Sequence, residues 1–211
     1  MPYARRSRLA WELPRFAQSP HTVAMPAAGP TPPLMTAEEL EHYPDRDKQV
    51  ELIRGRLVVR EPPGTLHGII AANLTGFLSD FVRRNKLGVI SAQDTGFKIA
   101  TNPDTVRAPD VGFISQHRLG EVRSRGYAAL APDLVVEVLS PDDRPAEVLA
   151  KVADWLAAGT RLVWVIDPVR AEARIHREDG TISLVLQDGV LEGETVLPGF
   201  TCSLADVLRL G

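Results

Sequence analysis

The chain has 211 residues, 44% hydrophobic and 24% charged, enough apolar material for one domain-sized core and too little for a second full domain. Its only cysteine, Cys202, excludes an intramolecular disulfide and a cysteine-based zinc cluster and fits a reducing, cytoplasmic setting, while the absence of any run of roughly 18 apolar residues excludes a membrane span. The net charge of −3 hides an asymmetry: residues 1–34 hold four arginines and one glutamate, leaving 20 basic against 26 acidic residues thereafter, which counts against a broad non-specific nucleic-acid footprint.

Residues 1–34 mix Pro, Ala and Arg without helical or strand period, lack the continuous apolar core of a secretion signal, and read as a tail. Folding is expected to begin at Thr36, whose hydroxyl can cap a short helix while Glu39 closes a capping box and Leu40 and Tyr43 turn inward. Residues 49–53 and 56–60 read as two strands turned at Gly55, with Glu51 in the first. Glu51 is either a ligand or a solvated or Arg-paired strand glutamate, and spacing does not decide. After Pro62-Pro63-Gly64 the pattern predicts a helix to Leu87, with Ile69, Ile70, Leu74, Phe77, Leu78, Phe81 and Val82 on one face and Gly88 as its stop. His67 falls in its first turn, where a capping or structural role is the ordinary reading.

Residues 89–91 and 95–100 suggest strands of a meander leading into the segment Val106-Arg-Ala-Pro-Asp110-Val-Gly-Phe-Ile114. Residues 116–131 form an irregular connection carrying the best basic cluster of the body, Arg118, Arg123 and Arg125; a solvated loop is its plainer reading. Residues 134–139, LVVEVL, then read as a strand covered on both faces, with Glu137 in its middle. An ionised carboxylate there is costly without a compensating partner, so a cation should lie nearby. Asp133 precedes Glu137 by four residues, placing the two side chains roughly 13 Å apart on one face. Asp110 on a neighbouring strand, ~4.8 Å away, can meet Glu137 directly. The following helix starts near Pro145, ends at Gly159 and buries Val148, Val152, Trp155 and Leu156. Lys151 lies at that stripe's margin, free either to reach the carboxylates or to pair with Glu147 one turn earlier. Two acids and a lysine around a strand pair suggest a metal site. A second covered strand at 161–166, a hairpin of 173–177 with 181–186 through Asp179-Gly180, and a short closing helix at 204–208 complete the pattern.

These residues resemble the restriction-endonuclease-like, PD-(D/E)XK, nuclease superfamily, and the surrounding text, ELIRGRLVV, VRAPDVGFIS, PDLVVEVLSP, K-x-x-x-W-x-x-x-G and LVWVIDP, is similar to its Uma-type endonuclease family over about residues 35–211. The third motif position, two residues after Glu137, is Leu139 and not lysine, so the resemblance requires a lysine relocated to the helix, at Lys151. It implies an α/β fold: a restriction-endonuclease-like mixed β-sheet flanked by helices, with additional β-hairpins. It also implies Asp110, Glu137 and Lys151 as catalytic residues, and Mg²⁺ or Mn²⁺ held by Asp110, Glu137 and the backbone carbonyl of Val138. Glu51 and His67 would be accessory, and Arg118, Arg123 and Arg125 would contact nucleic acid. The expected activity is hydrolysis of nucleic-acid phosphodiester bonds, with DNA the first candidate substrate and a homodimer one candidate assembly. The displaced lysine and acidic body favour the alternative, a nuclease fold that binds nucleic acid or regulates without cleaving.

Overall fold

Thr36 caps α1 (Ala37–Glu41) as its sequence context predicts: its hydroxyl accepts from the Glu39 amide and the Glu39 carboxylate accepts from the Thr36 amide, closing a capping box. The computed structural model describes residues 33–44, 48–123 and 125–210. The expected tail lies outside the described residues apart from its last two positions. After α1 come β1 (Gln49–Ile53), β2 (Arg56–Arg60), α2 (Thr65–Asn85), β3 (Gly88–Ala92), β4 (Phe97–Ala100), β5 (Thr105–Arg107) and β6 (Val111–Ser115). A 3₁₀ segment (Gln116–Glu121) leads through a loop to β7 (Leu134–Val138), α3 (Pro145–Ala157), β8 (Leu162–Asp167), β9 (Glu172–Arg177), β10 (Ile182–Leu186), β11 (Val190–Glu192), β12 (Thr201–Ser203) and α4 (Leu204–Val207).

The fold is mixed α/β. A six-stranded sheet runs β10-β9-β8-β7-β6-β3, with β7 and β8 parallel and every other pair antiparallel. The parallel pair is the one joined by α3, because antiparallel neighbours need only a hairpin whereas parallel ones need a crossover. One face packs under α2 and α4 in a cluster that includes Leu74, Leu78, Val136 and Trp164; the other packs under α3 through Val135, Val152, Trp155 and Val163. All five residues of β7 are buried, so the LVVEV run is the central strand that its apolarity implies. A four-stranded sheet, β2-β1-β5-β4, carries a separate cluster with α1 around Leu40, Leu52 and Val106.

Three local expectations change. The buried face of α2 comprises His67, Ile70, Ala71, Leu74, Leu78 and Val82, while Ile69 and Phe77 are exposed. At about 100° per residue His67 is at that stripe's midline, with Phe77 roughly 80° and Ile69 roughly 160° from it; counting apolar residues alone rotated the face. Gly88 is not the stop of α2, since Lys86 takes the left-handed cap at φ 53 and its amide bonds the Arg83 and Val82 carbonyls. Gly88 instead opens β3, where a Cβ would fall 2.0 Å from the Ile114 carbonyl oxygen. The strand expected at 95–100 contributes only β4, which leaves the predicted meander and pairs with β5 in the smaller sheet. β5 has three residues, all buried, too short to show an alternating pattern.

Gly88→Ala should therefore cost about 1–3 kcal/mol in denaturant unfolding, because the backbone of β3 or β6 must shift. Gly120→Ala, at a position where a Cβ meets nothing within 4 Å, should change stability by less than about 0.5 kcal/mol. Equal effects would contradict the close approach.

Candidate active site

The register of β6 on β7 brings the two carboxylates together. Val111 is opposite Val136, so Asp110, just before β6, stands beside Glu137; its amide donates to the Val136 carbonyl at 3.2 Å, and the Val138 amide donates to Asp110 Oδ2 at 2.7 Å. A slip of one residue would turn Glu137 to the other face of the sheet. Above them α3 delivers Lys151, whose Nζ donates to Glu137 Oε2 at 2.8 Å and to the Ala108 carbonyl at 3.0 Å, and approaches Glu51 Oε1 at 3.4 Å. One turn later on α3, Trp155 Nε1 donates to Glu137 Oε1 at 2.8 Å. Both oxygens of the buried glutamate are thus held from one helix. Glu147 pairs with Arg60 and Arg144, so the helical surface pair with Lys151 does not form.

A supporting layer locks these groups. Arg107, 3% exposed, donates to Glu51 Oε2 at 2.8 Å and to Asp154 Oδ2 at 2.6 Å, and the Ala108 amide donates to Glu51 Oε1 at 3.1 Å. Glu51 is accordingly both the Arg-paired strand residue and a neighbour of Lys151. His67 Nε2 lies 3.1 Å from Asp110 Oδ2, and Gln93 Nε2 lies 3.1 Å from His67 Nδ1. With the Gln93 amide donating to Nδ1, the imidazole is the tautomer whose Nε2–H donates to Asp110. Sequence reasoning missed Arg107, Gln93 and the polar role of Trp155. A signal for Arg107 was present: an arginine between two apolar residues, two before the Pro109-Asp110 pair.

Electrostatics follow from burial. Burial pushes the Glu137 carboxyl up and Lys151 pulls it down, while Asp110 and Glu51 add to the rise; the balance lifts it from 4.5 to about 7. Burial also works against the charge of Lys151, but Glu137, Glu51 and Asp110 outweigh it and its pKa is raised. These two shifts pull oppositely on one bond, and the lysine's is the firmer because three carboxylates converge on it. For Glu51 burial opposes ionisation, yet Lys151 and Arg107 prevail and the pKa is lowered. Burial disfavours a charged His67, but the hydrogen bond and charge of Asp110 turn the net shift upward.

Four acids, Asp110, Glu137, Glu51 and Asp154, face two bases, Lys151 and Arg107, a deficit of positive charge that the upward shifts of Glu137 and His67 narrow near neutral pH. That deficit, on oxygen donors, suits a hard divalent cation, which needs only one or two carboxylates when it keeps several waters. Among the described residues no three His, Cys, Asp or Glu side chains converge as a ligand cluster. The donor set therefore fits Mg²⁺ or Mn²⁺ as a two-carboxylate site, and poorly fits a cation that demands an all-protein cage.

The site opens into a cleft of about 1480 Å³ lined by β1, β2, the first turns of α2 and the segment from Glu137 to Lys151. Arg60 at its rim is held by Asp143 at 3.3 Å and Glu147 at 3.2 Å. Of the expected basic cluster, Arg118 is tied to Asp133 at 3.2 Å, Glu121 at 3.0 Å and the Ala131 carbonyl at 2.9 Å. It leaves β6 at the end opposite Asp110, roughly 17 Å along the strand. Arg123 and Arg125 are exposed. The structure brings Asp110, Glu137, Lys151, Glu51 and His67 together and leaves Arg118 apart.

The sequence profile of the Uma2 family, described as "Putative restriction endonuclease", matches residues 37–205. The chain belongs to this family. No curated protein matches it. Among solved structures, the Uma2 chain is similar to a "putative nuclease belonging to DUF820" from Anabaena variabilis, at 20% identity and a TM-score of 0.71, over 82% of this chain and 97% of that one. The likeness to the solved structure establishes a shared fold.

The raised Glu137 carboxyl predicts a pH dependence for the metal-free protein. A carboxyl that binds its proton more tightly folded than unfolded stabilises below about 4.5, and that contribution is lost as pH rises through about 7. In chelator, Glu137→Gln should thus gain stability relative to the unmodified chain between about pH 5 and 8. Parallel denaturation curves for the two across that range would contradict the assignment.

Proposed function

We propose that this Uma2 protein is an endonuclease that hydrolyses phosphodiester bonds, with DNA as substrate and Mg²⁺ or Mn²⁺ as cofactor. The observation that carries the reading is the convergence of Lys151 on Glu137 beside Asp110, from α3 rather than from the strand position held by Leu139. It restores two acids and a cation at one point of the 1480 Å³ cleft. The family's description as a restriction endonuclease supports DNA over RNA.

Asp110 and Glu137, with the Val138 carbonyl, would hold the ion. When bound, it supplies Lewis-acid charge and a water of lowered pKa. Each protein group has a task of its own. His67 fixes Asp110 through Oδ2, the oxygen that also accepts from the Val138 amide. Trp155 fixes the Glu137 rotamer from the core side. Lys151 has three N–H donors, two of them in short bonds and the third in only the 3.4 Å approach to Glu51. That third donor is the one available to a non-bridging phosphate oxygen, where added charge in the transition state would strengthen the bond. Glu51 and Arg107 keep the ammonium charged and aimed, so it enters the reaction without reorganisation. The excess of carboxylates over cations at the site would repel phosphate, and a bound divalent ion would offset that charge.

Lys151→Met, which keeps the apolar stem, should lower cleavage of plasmid DNA a hundredfold or more, roughly 2.7 kcal/mol of transition-state stabilisation, while Mn²⁺ still binds. Millimolar Mg²⁺ should raise the melting temperature of the unmodified protein by mass action, and Asp110→Asn should abolish the rise. Cleavage unchanged in Lys151→Met removes the lysine from the chemistry. DNA binding without cleavage in Mg²⁺ or Mn²⁺ replaces hydrolysis with a binding function on the same fold.

A further inference from the structure

β10 is the outermost strand of the six-stranded sheet, and among the described residues nothing pairs with its outer edge. The turn before it determines which way its backbone groups point. The Arg177 amide donates to the Thr181 carbonyl at 3.1 Å and the Gly180 amide to the Arg177 carbonyl at 2.9 Å, with Gly180 at φ 82, the three-residue hairpin with a glycine bulge. With Arg177 and Thr181 bonded, alternation makes Ser183 with Ile175 and Val185 with Ala173 the next bonded pairs. The N–H and C=O groups of Ile182, Leu184 and Leu186 therefore point away from β9, toward the open edge.

The side chains of those three residues share one face. It is opposite Val185, which packs on the core under α2, and they are 61%, 56% and 56% exposed. The strand ISLVL contains no charge, proline or glycine. Natural sheet edges are usually blunted by such residues, because a bare edge invites another strand. Here free backbone groups and exposed aliphatic side chains coincide on the same three residues.

We propose that this edge pairs antiparallel with the same edge of a second copy, about a two-fold axis at Leu184. In that register Leu184 faces its counterpart, and Ile182 faces Leu186 of the other copy in both directions. An isologous contact must be self-complementary, and an uncharged strand with Ile, Leu and Leu at alternate positions satisfies this without burying a like charge. Each copy offers three N–H and three C=O groups, so the register exchanges six hydrogen bonds and joins two six-stranded sheets into one. On the same face Arg174 and Glu172 of β9 stand beside Leu184 and Leu186 as an ion pair at 2.6 Å, and Asp179 of one copy and Asp188 of the other lie beyond the paired segment at each end. Three aliphatic residues a little over half exposed offer roughly 350 Å² per copy, about 700 Å² in total, so the contact is a weak one and a dissociation constant of tens of micromolar or more is expected. The proposal stands independently of the hydrolytic reading.

Analytical ultracentrifugation of the full-length chain from about 1 to about 200 µM tests it. A reversible monomer–dimer equilibrium is expected, weakened at least tenfold by Leu184→Lys, which sets two ammonium groups at the axis. Leu184→Pro should weaken it as much, because it deletes an edge N–H that the bond to β9 does not use; retained melting temperatures would show that both variants fold. In a Cys202→Ser background, Leu184→Cys should cross-link to itself on mild oxidation, since paired Cα atoms lie about 5.5 Å apart. Ile182→Cys should not, being four residues out of register with its own copy. A monomer throughout the range overturns the proposal, as does a dimer indifferent to both Leu184 variants or cross-linked equally well by Ile182→Cys. Dimerisation only of a chain beginning at Met35 also overturns it, assigning the edge to the chain's own N-terminal segment.

Discussion

A carboxylate in the middle of a fully buried strand is the constraint around which this protein is arranged. Glu137 has Leu134, Val135, Val136 and Val138 as strand neighbours, all buried, and without partners its ionised form would be prohibitively costly there. The fold answers with two donors from a single helix face, Lys151 and Trp155, spaced one turn apart so that each takes one oxygen. That arrangement requires α3 to cross directly over β7, and the parallel β7–β8 pair is the connection that puts it there. Chemistry and topology are thus the same requirement seen from two sides.

The smaller sheet completes the site. Arg107 ends β5 and bonds both Glu51 on β1 and Asp154 on α3, so one guanidinium ties the four-stranded sheet to the helix that carries Lys151. Breaking a buried, hydrogen-bonded ion pair on one side is far costlier than its presence is stabilising. The value of this network is therefore positional, as it fixes where the ammonium sits and keeps it charged. His67 does the equivalent for Asp110 from the core stripe of α2, with Gln93 choosing its tautomer. The first turn of α2 thereby becomes a wall of the cleft as well as part of the core.

The sequence was most readable where a single residue broke a strong pattern. Glu137 stood out because a charge interrupted an apolar strand, and Asp110 because only a neighbouring strand, not the same one, could bring a second carboxylate within reach. Lys151 was visible as a candidate from its place at the edge of a helical stripe, and the family resemblance supplied the reason to prefer it. What could not be read depended on contacts between distant segments. Arg107 looked like one arginine among many until β1 and α3 closed on it, and Gln93 gained its role from folding against a residue 26 positions earlier. The face of α2 was misjudged because Ile69 and Phe77 are apolar yet exposed, while its midline is held by a histidine that hydropathy counts as polar.

The proposed role of the carboxylates gathered around Glu137 is to hold a divalent cation together with Asp110. Diffraction from crystals soaked in Mn²⁺, recorded for anomalous scattering, tests this most directly. One strong peak within about 2.5 Å of both carboxylates is expected, with Lys151 still on Glu137 or displaced from Glu51 toward the cleft. Full Mn²⁺ occupancy elsewhere on the protein, with no peak at Asp110 and Glu137, would contradict it.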